Sequence, residues 1–167
     1  MRWLARRRVP LGLLTAVAAA VLARPTWASW QLGLLVAGCG EAVRVWAAGH
    51  LEKSREVTMS GPYRWTRHPL YAGSTIMAAG IVLASRSWVL AVCATVYMGA
   101  TLTAAILTEE AFLRRTFGDT YDRYQRREAT MARRFSLGRA MRNREYRAVI
   151  GLLAGFGLLA LKIVPPI

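Results

Sequence analysis

Two short stretches of this chain carry residue types that could do chemistry. The first, 60–73, places a histidine and a proline between two tyrosines, Tyr63, His68, Pro69 and Tyr71. The second is the acidic pair Glu109 and Glu110. Proline suits the first position of a helix, and a helix start with free N–H groups attracts a carboxylate. A carboxylate pair attracts an ammonium group, and tyrosine rings attract a soft cation. A zwitterionic sulfonium ligand would suit all three features.

Each stretch also has a simpler structural interpretation. A His-Pro pair at a helix start is often only a cap, and paired glutamates after an apolar run are often only a solvated helix end. The functional interpretation therefore requires that the fold bring the two stretches together, which depends on the elements that carry them.

Long apolar runs separated by charge dominate the rest of the chain, whose residues are 54% hydrophobic and 19% charged. Five runs approach the roughly 20 residues that a helix needs to cross a bilayer. They cover residues 9–23, 26–49, 69–85, 88–108 and 148–164. The first run also resembles a signal peptide, because three arginines precede it and Thr26 and Ala28 could mark a cleavage site, but we favour a retained span. The sequence thus predicts one all-α domain over residues 1–167, a polytopic membrane bundle of about five transmembrane helices.

The basic residues predict the orientation of this bundle. Lys and Arg total 23 against 9 acids, a net charge of +14, and they concentrate at the amino terminus, in 51–68 and in 109–147. Because short cytoplasmic loops hold Lys and Arg, these three segments are predicted to be cytoplasmic and the carboxyl terminus to lie outside, in a bacterial inner membrane. Residues 119–147 should form basic amphipathic helices on the headgroups.

The same charge distribution bears on the partners. The arginines occur in blocks between apolar runs and are not interleaved with aromatic side chains, so we expect no nucleic acid and instead expect anionic membrane lipids. The two cysteines, Cys39 and Cys93, each lie inside an apolar run without a cluster of ligands, so neither a disulfide nor a metal site is predicted.

The third and fourth predicted spans should bring the two chemical stretches together. Only the short turn 85–87 joins these spans, so they form an antiparallel hairpin. His68 at the start of one span and Glu109 at the end of the other then lie at the same cytoplasmic edge. One site is predicted there, within a core of about residues 57–127.

The residues of this core resemble a known superfamily. Gly-Pro-Tyr-Arg-Trp-Thr-Arg-His-Pro-Leu-Tyr-Ala-Gly at 61–73, the pair Glu109 and Glu110, and Phe-Gly-Asp-Thr-Tyr-Asp-Arg-Tyr at 117–124 together resemble the isoprenylcysteine carboxyl methyltransferase and phospholipid methyltransferase superfamily. Residues 71–75 also look like the corresponding stretch of phosphatidylethanolamine N-methyltransferase.

This resemblance implies a membrane enzyme that uses S-adenosylmethionine from the cytosol to methylate a lipophilic acceptor from the bilayer. The acceptor would be an isoprenylcysteine-like carboxylate or a phospholipid-like amine. Glu109 would hold the amino group of the cofactor with Glu110 beside it, and for an amine acceptor Glu110 or His68 could serve as the base. By motif position, the other cofactor-binding residues would be Val57, Thr58, Tyr63, His68, Pro69, Leu70 and Tyr71.

Two departures from the superfamily pattern concern the acceptor. The isoprenylcysteine enzymes carry an arginine a few residues before the acidic pair, whereas 104–108 here reads Ala-Ala-Ile-Leu-Thr. The Val-Pro that commonly follows the tyrosine and arginine motif is replaced by Glu-Ala-Thr at 128–130. Arg44, one helical turn from Glu41, is a further candidate: it either pairs with Glu41 or helps to hold a substrate headgroup, since charge within a span usually faces the bundle interior.

Two other functions remain open from the sequence. Some membrane sterol reductases resemble the same superfamily and bind NADPH, although the short chain argues against that function. A non-catalytic membrane scaffold is the other, and the His68, Tyr71 and Glu109 set argues against it.

Overall fold

The computed structural model describes residues 21–128 and 131–163, in which the regular secondary structure is helical and no strand occurs. The all-helical prediction is therefore confirmed for this part of the chain. We number the helices α1 (Trp27–Ala48), α2 (Pro69–Ser85), α3 (Trp88–Phe117), α4 (Asp119–Gln125), α5 (Leu137–Arg142) and α6 (Tyr146–Ala160), with a short 3-10 helix at Gly61–Arg64. Most of the predicted span 9–23 lies outside the described residues.

The helix ends follow from local chemistry. A capping box starts α1, because Thr26 Oγ1 accepts from the Ser29 backbone N–H and Ser29 Oγ accepts from that of Thr26. Helix α2 begins at Pro69, as predicted. Helix α3 does not end at 108 but continues to Phe117, where Gly118 takes a positive φ of 44°. Glu109 and Glu110 therefore lie inside a helix, which fixes the directions of their side chains.

The helices differ in whether their length and hydropathy would allow them to cross a membrane. Among those described, α3 is long and apolar enough to do so, while α2 and α6 are apolar but only 17 and 15 residues long. Most apolar side chains of α3 lack protein cover: Trp88 is 79% exposed and Val96 67%.

The closest helix packing in the described residues joins α1 to α2 through glycines. A Cβ atom added to Gly80 would lie 2.5 Å from the Ala37 nitrogen and the Gly33 oxygen. One added to Gly40 would lie 2.6 Å from the Met77 nitrogen. Small residues allow such backbone contact between helices, and the resulting van der Waals packing associates helices in membranes.

Helix α6 covers one end of this pair. Phe156 is 2% exposed and packs in a cluster with Ala37 and Ala84. Trp30 of α1 meets the Phe156 ring edge-on, with centroids 5.9 Å apart, and its Nε1–H donates to the Phe156 carbonyl at 2.8 Å. The last helix is thereby held against the first helix pair by packing and by one directed hydrogen bond.

We expect Gly80→Ala to lower stability by about 1–3 kcal/mol, because the new methyl group meets backbone atoms that cannot rotate away. Gly99→Ala is the matched control, since a Cβ at Gly99 of α3 meets nothing within 4 Å. Thermal unfolding of both variants in detergent checks this expectation. Equal melting temperatures for the two variants would contradict the close packing of α1 against α2.

Candidate functional site

A cavity of about 580 Å³ lies between the start of α2 and the last turns of α3. The segment 51–58 and helix α4 complete its walls. Nine of the ten site residues predicted from the sequence line this cavity, and Glu110 is the exception. The nine are Arg44, Val57, Thr58, Tyr63, His68, Pro69, Leu70, Tyr71 and Glu109. The α2–α3 hairpin thus brings the two chemical stretches together.

His68 links the two helices of the hairpin. Its Nε2 lies 3.0 Å from Glu110 Oε1, and its ring stacks on Tyr71 with centroids 5.7 Å apart. Arg67 Nη1 lies 3.3 Å from the same Glu110 oxygen. These contacts fix the His68 ring at the cavity wall, because one ring nitrogen and one ring face are both engaged.

Glu110 was predicted, as an alternative to His68, to be the base for an amine acceptor, and in the structure it lies beside the cavity rather than on its wall. Its carboxylate contacts His68 and Arg67 rather than the cavity. Partial burial opposes its ionisation, yet the hydrogen bond from His68 and the charge of Arg67 outweigh that effect and lower the pKa of Glu110 below 4.5. An ionised, engaged carboxylate orients His68 and is a poor proton acceptor.

Glu109, by contrast, faces the cavity with a free carboxylate. Within the described ranges 21–128 and 131–163, its oxygens have no hydrogen-bond or ion-pair partner. Glu109 and Glu110 are neighbours on one helix, about 100° apart around its axis. The helix therefore directs one carboxylate at the cavity and the other at His68.

Tyr63 contributes a buried hydroxyl group to the same cavity. The residue is 8% exposed, and its hydroxyl has no hydrogen-bond partner in the described structure. Burial and the nearby Glu109 charge raise the pKa of Tyr63, so its hydroxyl stays protonated and can donate. An unpartnered buried donor on a cavity wall is costly unless a ligand uses it.

Tyr124 of α4 holds Tyr63 in place. Its hydroxyl donates to the Tyr63 carbonyl at 2.7 Å, a bond that joins α4 to the 3-10 helix. Burial and the neighbouring Tyr121 raise the pKa of Tyr124 to about 12, which keeps this donor protonated at neutral pH. Tyr121 and Tyr124 also pack with Val57 and Met59, so the tyrosine pair closes one side of the cavity.

The first turn of α2 has fewer free backbone N–H groups than the sequence suggested. Pro69 has no N–H, and the N–H groups of Tyr71 and Ala72 both bond to the His68 carbonyl. In the described structure the Leu70 N–H makes no hydrogen bond. One backbone donor, rather than several, is therefore available to a carboxylate here.

Helix α3 supplies a wall that sequence reasoning did not assign to the site. Thr101, Ala104, Ala105 and Thr108 line the cavity at helical spacing. The hydroxyls of Thr101 and Thr108 donate to carbonyls one turn earlier in their own helix, so this wall presents mainly methyl groups. This wall suits an apolar ligand. It includes the stretch 104–108, where the isoprenylcysteine enzymes carry an arginine.

Arg44, predicted either to pair with Glu41 or to hold a substrate headgroup, lines the cavity while its guanidinium contacts other protein groups. Nη2 donates to both carboxylate oxygens of Glu145, at 2.9 and 3.0 Å, and Nη1 donates to Ser74. The predicted pair with Glu41 is present as a longer contact, with Nε 3.5 Å from Oε2. Through these contacts of Nη1 and Nη2, Arg44 joins α1, α2 and the segment before α6.

Glu145 is the main residue that sequence reasoning missed. It is 7% exposed and makes the bidentate contact with Arg44 from 101 positions away. A weak signal was available, since Glu145 is the single acid among six arginines in 131–147. Nothing in the sequence paired it with Arg44.

Comparison with known proteins shows what this chain is similar to. Residues 40–120 match the family model for phospholipid methyltransferase, and they include every cavity residue except Tyr121 and Tyr124. Over 120 residues the chain is 32% identical to a nickel-cobalt-cadmium resistance protein, NccN, of Alcaligenes xylosoxydans xylosoxydans.

That alignment covers 69% of this chain and 56% of the relative, so the chain spans a little over half of the relative's length. No solved structure matches. The match of residues 40–120 to the phospholipid methyltransferase model confirms the superfamily resemblance that the motif predicted, and that family is membrane-associated.

Proposed function

We propose that this chain is an S-adenosylmethionine-dependent membrane methyltransferase that acts on a lipophilic acceptor. One observation carries the proposal: the unpaired Glu109 carboxylate and the unpaired, buried Tyr63 hydroxyl line the same cavity. A carboxylate binds the ammonium group of an amino-acid sulfonium, and the Tyr63 hydroxyl and the Leu70 N–H can donate to its carboxylate. The donor set therefore fits this cofactor.

The chain's part in methyl transfer is alignment. When bound, S-adenosylmethionine supplies an electrophilic methyl group on a cationic sulfur. Glu109, Tyr63 and the His68–Tyr71 stack orient that group, while the methyl-lined wall of α3 admits an apolar acceptor and excludes water. Effective transfer then depends on how rigidly these side chains are held.

An amine acceptor must lose a proton before it attacks, and His68 is the group placed to take it. When the Nε2–H of a neutral His68 donates to the Glu110 carboxylate, Nδ1 carries no proton and can accept one. A carboxylate acceptor needs only positioning. Both acceptor classes remain within the proposal, and the methyl-lined stretch at 104–108 favours the amine because it offers no arginine to a carboxylate.

We further propose the five-span arrangement with a cytoplasmic site. Exposed tryptophans support it: Trp27 and Trp88 stand at the starts of α1 and α3, and Trp46 and Trp65 stand in contact at the opposite end of the bundle. Tryptophan favours the two membrane interfaces. In this arrangement the arginine-rich segment 131–147 shares the cytoplasmic side with the cavity.

The relative's name refers to resistance to metal ions. In the described ranges of this chain, no three His, Cys, Asp or Glu side chains lie together as metal ligands do. We therefore propose that any such role here would follow from modification of a membrane component. An NADPH-dependent reductase and a non-catalytic scaffold are the functions that a binding measurement separates from the methyltransferase.

We expect Glu109→Gln to weaken binding of S-adenosylhomocysteine by about 10- to 100-fold, because the amide cannot form a charge-assisted bond to the ligand's ammonium group. Calorimetric titration of the full chain in detergent measures this, with NADPH as a second ligand. Glu128→Gln is the control, since that carboxylate is exposed and pairs with Arg126 away from the cavity. Binding of NADPH alone would indicate the reductase, and binding of neither ligand the scaffold.

We expect Glu110→Gln to reduce stability in a pH-dependent way. The pKa of Glu110 is lower in the folded protein, so its ionised form stabilises the fold above its ordinary pKa of 4.5. That contribution is lost as the pH falls through the lower, folded-state pKa. The difference in melting temperature between the wild type and Glu110→Gln should be full at pH 7 and shrink below pH 4.5. A difference independent of pH would argue against the ion pair.

A further inference from the structure

The segment 131–147 combines a high positive charge with exposed apolar side chains. It holds six arginines and one glutamate, and that glutamate is committed to Arg44. Leu137 is 63% exposed, Met141 52% and Tyr146 39%. Exposed apolar groups beside uncompensated arginines are typical of a protein surface that lies on anionic headgroups.

These apolar side chains border a shallow cleft. The cleft, of about 270 Å³, lies between α1, α5 and α6, and Val45, Leu137, Met141, Tyr146, Val149 and Ile150 line it. Glu145 also borders the cleft, but both of its carboxylate oxygens bond to Arg44. The walls therefore present hydrocarbon, which suits an apolar chain.

Two arginines are the sequence neighbours of residues that line this cleft. Arg142 directly follows Met141, and its side chain is 68% exposed, with a long 3.8 Å contact to Glu52 as its ion pair. Arg147 places its guanidinium carbon 5.9 Å from the centroid of the Tyr146 ring, which is itself part of the wall. Both guanidiniums thus retain donors that a phosphate could use.

We propose that this cleft binds an anionic phospholipid, with an acyl chain in the cleft and the phosphate contacted by Arg142 and Arg147. The inference goes beyond methyl transfer and rests only on the membrane location of the chain. The charge of the segment 131–147 indicates which ligand binds. Its net charge of +5 attracts an anionic lipid and repels a second copy of the same segment.

The site adjoins the cavity described above without belonging to it. Glu145 borders the cleft, and its partner Arg44 lines the cavity, so the Glu145–Arg44 ion pair forms the partition between the two. A lipid bound in the cleft would hold α5 and α6 around this ion pair. We therefore expect lipid binding to stabilise the folded protein.

The test is the thermal stability of the full chain in a nonionic detergent with added lipid. Phosphatidylglycerol should raise the melting temperature in a saturable way, while phosphatidylcholine and glycerol phosphate at the same concentrations should not. Arg142→Gln/Arg147→Gln should weaken the apparent affinity by about thirtyfold, because two arginine contributions to anionic-lipid binding are lost. Val149→Phe, which keeps every charge but fills the cleft, should also weaken binding.

The matched control is Arg115→Gln/Arg123→Gln, which removes two exposed arginines on α3 and α4, outside the cleft. It should retain the wild-type affinity. An equal loss in the control would overturn the proposal in favour of general attraction between charges. Three other results would also overturn the proposal. They are a melting temperature raised as much by glycerol phosphate or by phosphatidylcholine as by phosphatidylglycerol, and wild-type lipid affinity in Val149→Phe.

Discussion

The close contact of α1 with α2 is the constraint on which the site depends. Glycine at 33, 40, 73 and 80 lets the two backbones touch, and α1 thereby places Arg44 beside Ser74 of α2. A wider spacing would break that bond and move Arg44 off the cavity wall. Because van der Waals packing rather than the hydrophobic effect holds helices together in lipid, such contact is an effective means of fixing their separation.

A second set of interactions holds the segment 51–58 against the rest of the protein. Glu52 accepts from Arg139 Nε at 2.8 Å and lies within 4.0 Å of Arg133 and Arg142. The Arg139 hydrogen bond, together with the charges of all three arginines, lowers the pKa of Glu52. Asn143 bonds to the carbonyls of Ala48 and Leu51. Residues that follow α4 in the sequence thus hold the loop 51–58, which forms one wall of the cavity, in place.

The sequence predicted the helices and most of the cavity because both are encoded locally. Hydropathy and caps placed α1, α2 and α6 within a few residues, and the short turn at 85–87 required that His68 and the acidic pair meet. The apolar span was predicted to end at 108, whereas α3 continues past it as one helix, because glutamates continue a helix readily. Only Gly118, with its positive φ, stops it.

The roles of Glu110 and Arg44 could not be predicted because they depend on contacts between distant parts of the chain. Which of two adjacent glutamates faces the cavity depends on the rotation of α3 about its axis, and hydropathy does not report that rotation. Arg44 has a carboxylate one turn away in Glu41, yet its closer partner is Glu145. Only the packing of the segment before α6 reveals this pairing.

The separation of Arg44 from Glu145 has a consequence for biosynthesis. Arg44 is made 101 residues before the carboxylate that binds it most closely. In the proposed five-span arrangement α1 crosses the membrane, and a charged side chain within such a helix is costly to insert. During that interval Glu41, three residues earlier on the same helix, travels with Arg44 and provides a counter-charge. In that arrangement Glu41, whose oxygens make no hydrogen bond in the described fold, would supply this counter-charge until the last helix is made.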